Sequence, residues 1–360
     1  MTAERNYPDR LTGGPLHVSL AAEPAWQALA DDDVLAVVEH GTGVSASDDP
    51  RHVVTGFALA GDHAAAAAAR HGSKPMGGSK PIRGRVLEVW RVDGPVRTGI
   101  VDTLRHAVSR DYLFGQVVIG ADNAAGNFVT ATQMAYQQLL RGCQSLGYPH
   151  VLRVWNVLSG INDGDGDAER YRCFSQGRFN AFVAAARLPV YPAASAIGRD
   201  GDHSIVYFLA GRAPAQLIEN PQQVSAFRYP REYGPVSPSF SRAGLLRCGN
   251  ELRLFISGTA SILGHRSCHV GDIAAQLELT LTNLATVTAA AQAPAPLFDD
   301  RLQTLLRVYV RHPGDVAQVV ERLDRSVPGH VLLTVVQGDI CRRELLLEIE
   351  ATVSWREGAV

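Results

Sequence analysis

Strands and helices interleave twice along this chain in the same order, and that repetition restricts the available folds more than any other feature. From residue 112 the pattern predicts a strand over 112–119, a helix over about 130–146, a strand over 151–158 and a helix over about 168–185. A second series follows, with strands at 204–210 and 252–257, a helix over about 273–288 and a strand at 304–310. It closes with a helix over 314–323 and strands at 331–336 and 345–353. Upstream, 34–39, 53–59 and 86–92 have the length and β-branched content of strands, and the six alanines at 64–69 favour a short helix. The order predicts an α+β protein built from two copies of one module packed side by side. No residue-level repetition accompanies it, so a single irregular domain is the alternative.

A length of 360 residues suits two modules with full cores. The stretch 188–203, rich in Pro, Gly and small residues, is the expected linker, giving an N-terminal module over 1–195 and a C-terminal module over 196–360. A Pro/Ala stretch at 289–300 reads as a connection inside the second module.

Charge excludes one class of partner. The formal net charge is -2, and Lys and Arg do not gather into a basic stripe with interleaved aromatics, so no nucleic acid is expected. An anionic substrate would have to be held by a few arginines inside a pocket. The first residues are polar and no apolar run approaches bilayer length, so a cytoplasmic protein with no membrane partner is expected. Five cysteines at 143, 173, 248, 268 and 341, without a C-x-x-C pair, read as free thiols. No P-loop, G-x-S-x-G elbow, H-E-x-x-H pair or dinucleotide fingerprint is present, so no cofactor is expected.

Four segments carry residues suited to chemistry. On a helix, Tyr171, Phe174 and Arg178 share a face, where a Tyr and an Arg can clamp one carboxylate; an amphipathic surface helix would explain the same spacing. The segment 227–242 holds Tyr229, Tyr233 and Arg242 among prolines that forbid regular structure, either as a site-lining loop or as a surface loop tied down by tyrosines. Strand 252–257 ends in Ser257, Gly258, Thr259 and Ala260, small residues that let a ligand approach the backbone. His265 and His269 lie four apart, but no carboxylate motif accompanies them and no metal site is expected. Last, 345–353 alternates, with Leu345, Leu347 and Ile349 on one face and Leu346, Glu348 and Glu350 on the other. Two acids on one strand face are usually solvated. If that face looks into a cleft between modules, Glu348 would be desolvated and protonated at neutral pH, and Cys341 could reach the same cleft.

Together these segments resemble the chorismatase family. The resemblance is carried by YLFG (112–115), SLGYP (145–149), RVWNVLSGIN (153–162), YRCFSQGR (171–178) and IENP (218–221). YPREYGP (229–235), RLFISGTASILGHR (253–266), HVGD (269–272) and LLLEIE (345–350) carry the rest. It implies two packed deaminase-like, chorismate-mutase-like modules with mixed sheets and helices on one face. It also implies an enzyme that releases pyruvate from chorismate, with Glu348 as catalytic acid and Tyr171, Arg178, Tyr229 and Arg242 as the substrate clamp. Gly258 and Cys341 resemble the branch that forms 3-hydroxybenzoate, where a polarisable, slightly acidic thiol at 341 would serve ring aromatisation. A bifunctional 3-/4-hydroxybenzoate synthase, a hydrolase giving a dihydroxycyclohexadienoate, and a non-catalytic binder of aromatic or keto acids are the alternatives. A monomer or weak dimer is expected, since fused modules can bury faces that single modules bury by oligomerising.

Overall fold

The computed structural model describes residues 13–21, 25–41, 47–59, 86–120, 125–186 and 190–358. Strands β1 (Leu16–Ala21), β2 (Val34–His40), β3 (His52–Val54) and β4 (Val86–Val92) form a small sheet in the order β1-β4-β2-β3. The runs expected at 34–39 and 86–92 are its central strands; the six-alanine run lies outside the described residues.

The first large unit contains β5 (Arg97–Val101), β6 (Leu104–Val108), β7 (Tyr112–Ile119), helix α1 (Ala125–Ser145), β8 (His150–Ser159), helix α2 (Arg170–Ala184), β9 (Ala193–Arg199) and β10 (Ser204–Gly211). The second contains β11 (Gln216–Ile218), β12 (Ala243–Cys248), β13 (Glu251–Thr259), a hairpin of β14 (Ile262–Leu263) and β15 (Arg266–Ser267), and helix α3 (Ile273–Ala290). It ends with β16 (Gln303–Val310), helix α4 (Val316–Ser326), β17 (Leu332–Gln337), β18 (Asp339–Ile340) and β19 (Leu347–Arg356).

The sheet orders are β18-β9-β8-β10-β7-β6-β5 and β11-β12-β13-β19-β16-β17. In each sheet one pair is parallel, β8 with β9 and β16 with β17. Strands β5 to β10 thus occupy the places of β11, β12, β13, β16, β17 and β19, and α1 and α2 match α3 and α4. The chain forms the expected α+β architecture of two packed modules with mixed sheets and helices on one face.

Side-chain alternation builds the layers. Along β10, Val206, Phe208 and Ala210 pack under α1 and α2 with Phe128, Tyr136 and Leu139. The intervening Ile205, Tyr207 and Leu209 point the other way, into a core shared with Phe255 and Tyr309 of the second sheet and with Leu35, Val38 and Trp90 of the small one. Helices therefore lie outside and sheets face each other. Both faces of the central strands are buried, which is why they read as unbroken apolar runs. Gly177 lets α2 approach α1, since a Cβ there would stand 2.3 Å from the Val129 carbonyl oxygen.

The stretch expected as a linker, 188–203, instead carries β9 of the first sheet. Its small, weakly patterned residues fit between β8 and the neighbouring unit. The chain passes between units after β10, between Gly211 and Gln216. Strand β18, from the second unit, pairs antiparallel with β9 of the first, so the segment leading to Cys341 is anchored across the junction.

Candidate active site

On β19, Leu347, Ile349, Ala351 and Val353 join the core beneath α3 and α4. Glu348 and Glu350 alternate with them and point between the sheets, each only 4% exposed. The face that carries acids is buried, and the two acids differ sharply in their surroundings.

Glu350 is saturated. Its Oε2 accepts from Arg153 Nη2 at 2.6 Å and from Ser195 Oγ, and its Oε1 accepts from Trp155 Nε1 at 2.9 Å and faces Arg307 Nη1 at 2.5 Å. Glu348 has no hydrogen-bond partner among the described residues and lines a cavity of about 420 Å³. Burial, and next the negative charge of Glu350, push its pKa up to about 8, against the opposing pull of Arg153, Arg242 and Arg311. A carboxyl so placed is protonated at neutral pH and can give up that proton.

Five elements bring the cavity together. Tyr171 comes from the first turn of α2, Tyr229 and Arg242 from the loop between β11 and β12, Gly258 from β13, Cys341 from the turn after β18, and Glu348 from β19. The β13–β19 register shifts between Ile256 and Thr259, so β13 bulges beside Glu348. A Cβ on Gly258 would stand 1.7 Å from Glu348 Oε1, so glycine leaves the space that the carboxyl occupies. The Gly258 N–H donates to Ser195 Oγ at 2.9 Å, tying the bulge to the Glu350 network.

Arg242 Nη2 donates to Tyr229 Oη at 2.6 Å and to the Val224 carbonyl at 3.1 Å, while its buried Nε has no partner. The Tyr171 hydroxyl is raised well above its ordinary range, chiefly by burial, and so remains a hydrogen-bond donor. Arg178 is not among the lining residues. It is buried in α2 with its guanidinium 5.2 Å from the Tyr136 ring centroid, and its Nε and Nη2 lack partners. Cys341 corrects an expectation: burial first, then the Glu348 charge, push its thiol up to about 12. It is a neutral thiol rather than an acidic one. His265 meets the Tyr233 hydroxyl at 3.2 Å and Glu232 at 3.4 Å, so its ring belongs to the rim.

Two residues escaped the sequence reading. Arg342, next to Cys341 in CRREL, lies with its guanidinium carbon 3.9 Å from the Tyr233 ring centroid and lines the cavity. Arg311 donates to the carbonyls of Leu345 (2.8 Å), Ile340 (2.8 Å) and Arg342 (2.9 Å), holding the turn that bears Cys341. The adjacency of Arg342 to Cys341 was a usable signal; nothing local marks Arg311.

Comparisons with known proteins agree with this arrangement. Residues 88–210 match the family described as chorismatase FkbO/Hyg5-like, N-terminal. A chorismatase of Streptomyces rapamycinicus is 39% identical over 280 residues, covering 74% of this chain and 82% of that one. A chorismatase of Streptomyces hygroscopicus is 35% identical over 337 residues, 90% of each chain, and a 3-hydroxybenzoate synthase of the same organism is 35% identical over 277 residues, covering 74% of this chain and 81% of that one. A crystal structure of a chorismatase superposes with a TM-score of 0.79 at 31% identity, covering 96% of this chain and all of that one. Similarity at this level over nearly the whole length places the chain in the chorismatase family of enzymes.

Proposed function

We propose that this protein releases pyruvate from chorismate and converts the ring to 3-hydroxybenzoate. The observation that carries the reading is Glu348, a buried carboxyl with a pKa near 8, facing a cavity whose other walls supply Arg242, Tyr229 and Tyr171. Chorismate is a dianion with an enol ether. Arg242 binds a carboxylate, Tyr171 and Tyr229 donate further hydrogen bonds, and Arg178, two turns further along α2, adds positive charge that acts on Tyr171. Glu348 delivers its proton to the enol-ether methylene, forming an oxocarbenium ion; water adds to that carbon and returns a proton to Glu348, and the resulting hemiketal collapses with cleavage of the pyruvyl C–O bond, leaving pyruvate and the ring diol. Loss of the ring 4-hydroxyl together with the hydrogen on C3 returns one water and completes aromatisation. Pyruvate and 3-hydroxybenzoate together contain the atoms of chorismate, so no oxidant is consumed.

Gly258 and Cys341 support the 3-hydroxybenzoate product, as does the likeness to a relative of that name. Gly258 fixes where the Glu348 carboxyl sits, and the neutral Cys341 thiol is a small polarisable wall beside the ring. Purified protein incubated with chorismate, without added metal or nucleotide, should release pyruvate and 3-hydroxybenzoate in equal amounts, read by chromatography. Ligand-induced thermal stabilisation without pyruvate would point to a binding protein instead. The Gly258→Ala, Cys341→Ala double variant should shift product toward the non-aromatic diol; an unchanged product would remove both residues from that choice.

A further inference from the structure

Four arginines line the cavity: Arg172, Arg242, Arg342 and Arg343. Arg172 faces Glu169 at 3.4 Å and Asp167 at 3.6 Å. Arg343 donates to the carbonyls of Asn162 and Gly164 at 2.6 Å each and lies 3.8 Å from Asp165. Among the described residues, the guanidiniums of Arg242 and Arg342 have no carboxylate partner; the only carboxylate contact of either residue is the Arg242 backbone N–H donating to Glu219 Oε1 at 3.2 Å. The two share one aromatic neighbour, with guanidinium carbons 5.6 and 5.1 Å from the Tyr229 ring centroid. Two unneutralised cations in one cavity match a dianion with two separate carboxylates.

Arg342 is held before any ligand arrives. Its Nη1 donates to the His265 carbonyl at 2.9 Å and to Ser267 Oγ at 3.1 Å, and its plane rests on Tyr233. Arg311 fixes its backbone carbonyl. Its Nε and Nη2 stay without a protein partner among the described residues, a donor edge suited to bidentate recognition. Position assigns the ends of the ligand. The Arg242 carbonyl accepts from the Ser257 N–H at 2.9 Å, beside the Gly258 that abuts the Glu348 carboxyl, and the methylene that Glu348 protonates adjoins the side-chain carboxylate; Arg342 sits instead on the Cys341 turn, tied to His265 and Ser267.

We infer that Arg342 is a substrate-binding residue that takes the ring carboxylate, while Arg242 takes the side-chain carboxylate. This rests on the chorismate reading and goes beyond it by naming a residue and an orientation. The test compares wild type, Arg342→Gln, Arg342→Lys and Arg178→Gln on chorismate and on its two monomethyl esters, with pyruvate release as readout. Arg342→Gln should lower kcat/KM by about tenfold or more for chorismate and for the side-chain ester, mostly through KM, and by less than about twofold for the ring ester. Arg342→Lys should recover part of the loss. An equal loss on both esters would show a merely structural role and overturn the assignment. So would Arg178→Gln reproducing the ester pattern while Arg342→Gln does not. Absence of pyruvate from the wild-type enzyme would remove the parent reading as well, so the two failures are distinguishable.

Discussion

Glu348 and Glu350 stand two residues apart on one strand, equally buried, and do opposite things. Glu350 meets two guanidiniums, an indole N–H and a hydroxyl, which stabilise its charge; Glu348 meets only the cavity and its neighbour's negative charge. The acid role needs the protonated form, so turnover should fall as pH rises through about 8. Stability should follow the same direction. A carboxyl raised from 4.5 to about 8 on folding favours the native state fully below 4.5 and loses that contribution as pH climbs to 8. The loss is on the order of a few kcal/mol. Glu348→Gln has no proton to lose. It should abolish pyruvate release while showing a flatter dependence of unfolding free energy on pH between 5 and 9, measured by urea titration. A Gln variant that still turns over would remove Glu348 from the acid role.

At the scale of elements, the turn between β18 and β19 concentrates the proposed chemistry, because it carries Cys341 and Arg342 and leads into Glu348. It has no regular structure to stiffen it. Arg311 does so instead, with donors to the turn carbonyls of Arg342 and Leu345, to the Ile340 carbonyl at the end of β18, and to Asn162 and Asp339. Arg311→Met should lower kcat by about tenfold to a hundredfold with the global fold intact by circular dichroism, since misplacing catalytic groups by an ångström costs that much. Lysine should rescue poorly, as one ammonium cannot reach the same set of acceptors. The elements themselves were legible where patterning is strong. β7, β10, α3 and the alternation of β19 follow directly from apolar period. Strand β9, AASAIGR after a proline, was lost among linker signals because its small residues were selected by close packing against Ser241 and Gly258 rather than by strand propensity. The site was legible in its residue types, Glu348 among them. Which acid is saturated, which arginine faces the cavity and what holds the turn all depend on contacts between distant segments, which a local pattern does not encode.

At the scale of the molecule, three sheets converge on one buried chain of charges. Arg307 on β16 bridges Glu350 on β19 and Glu88 on β4; Glu350 also pairs with Arg153 on β8 at 2.6 Å, and Glu88 meets His40 on β2 at 3.3 Å. This chain joins the small N-terminal sheet to β19, the strand that carries Glu348. Burial, the largest single influence, pushes the Glu88 carboxyl up, but Arg307 and His40 together outweigh it and hold the pKa at about 2. A group lowered in this way stabilises the fold above its ordinary pKa of 4.5 and loses that contribution as pH falls toward 2. Glu88→Gln should therefore unfold with a shallower acid dependence between pH 4.5 and 2. At pH 7 it should be less stable by about 3–5 kcal/mol, because Arg307 keeps its burial but loses one of its two anions. Denaturant midpoints across that pH range would decide it. If the deficit at pH 7 is present while the alkaline limb of turnover stays near 8, the network serves to join the sheets; a limb that moves with Glu88→Gln would show that the N-terminal sheet also sets the protonation of Glu348.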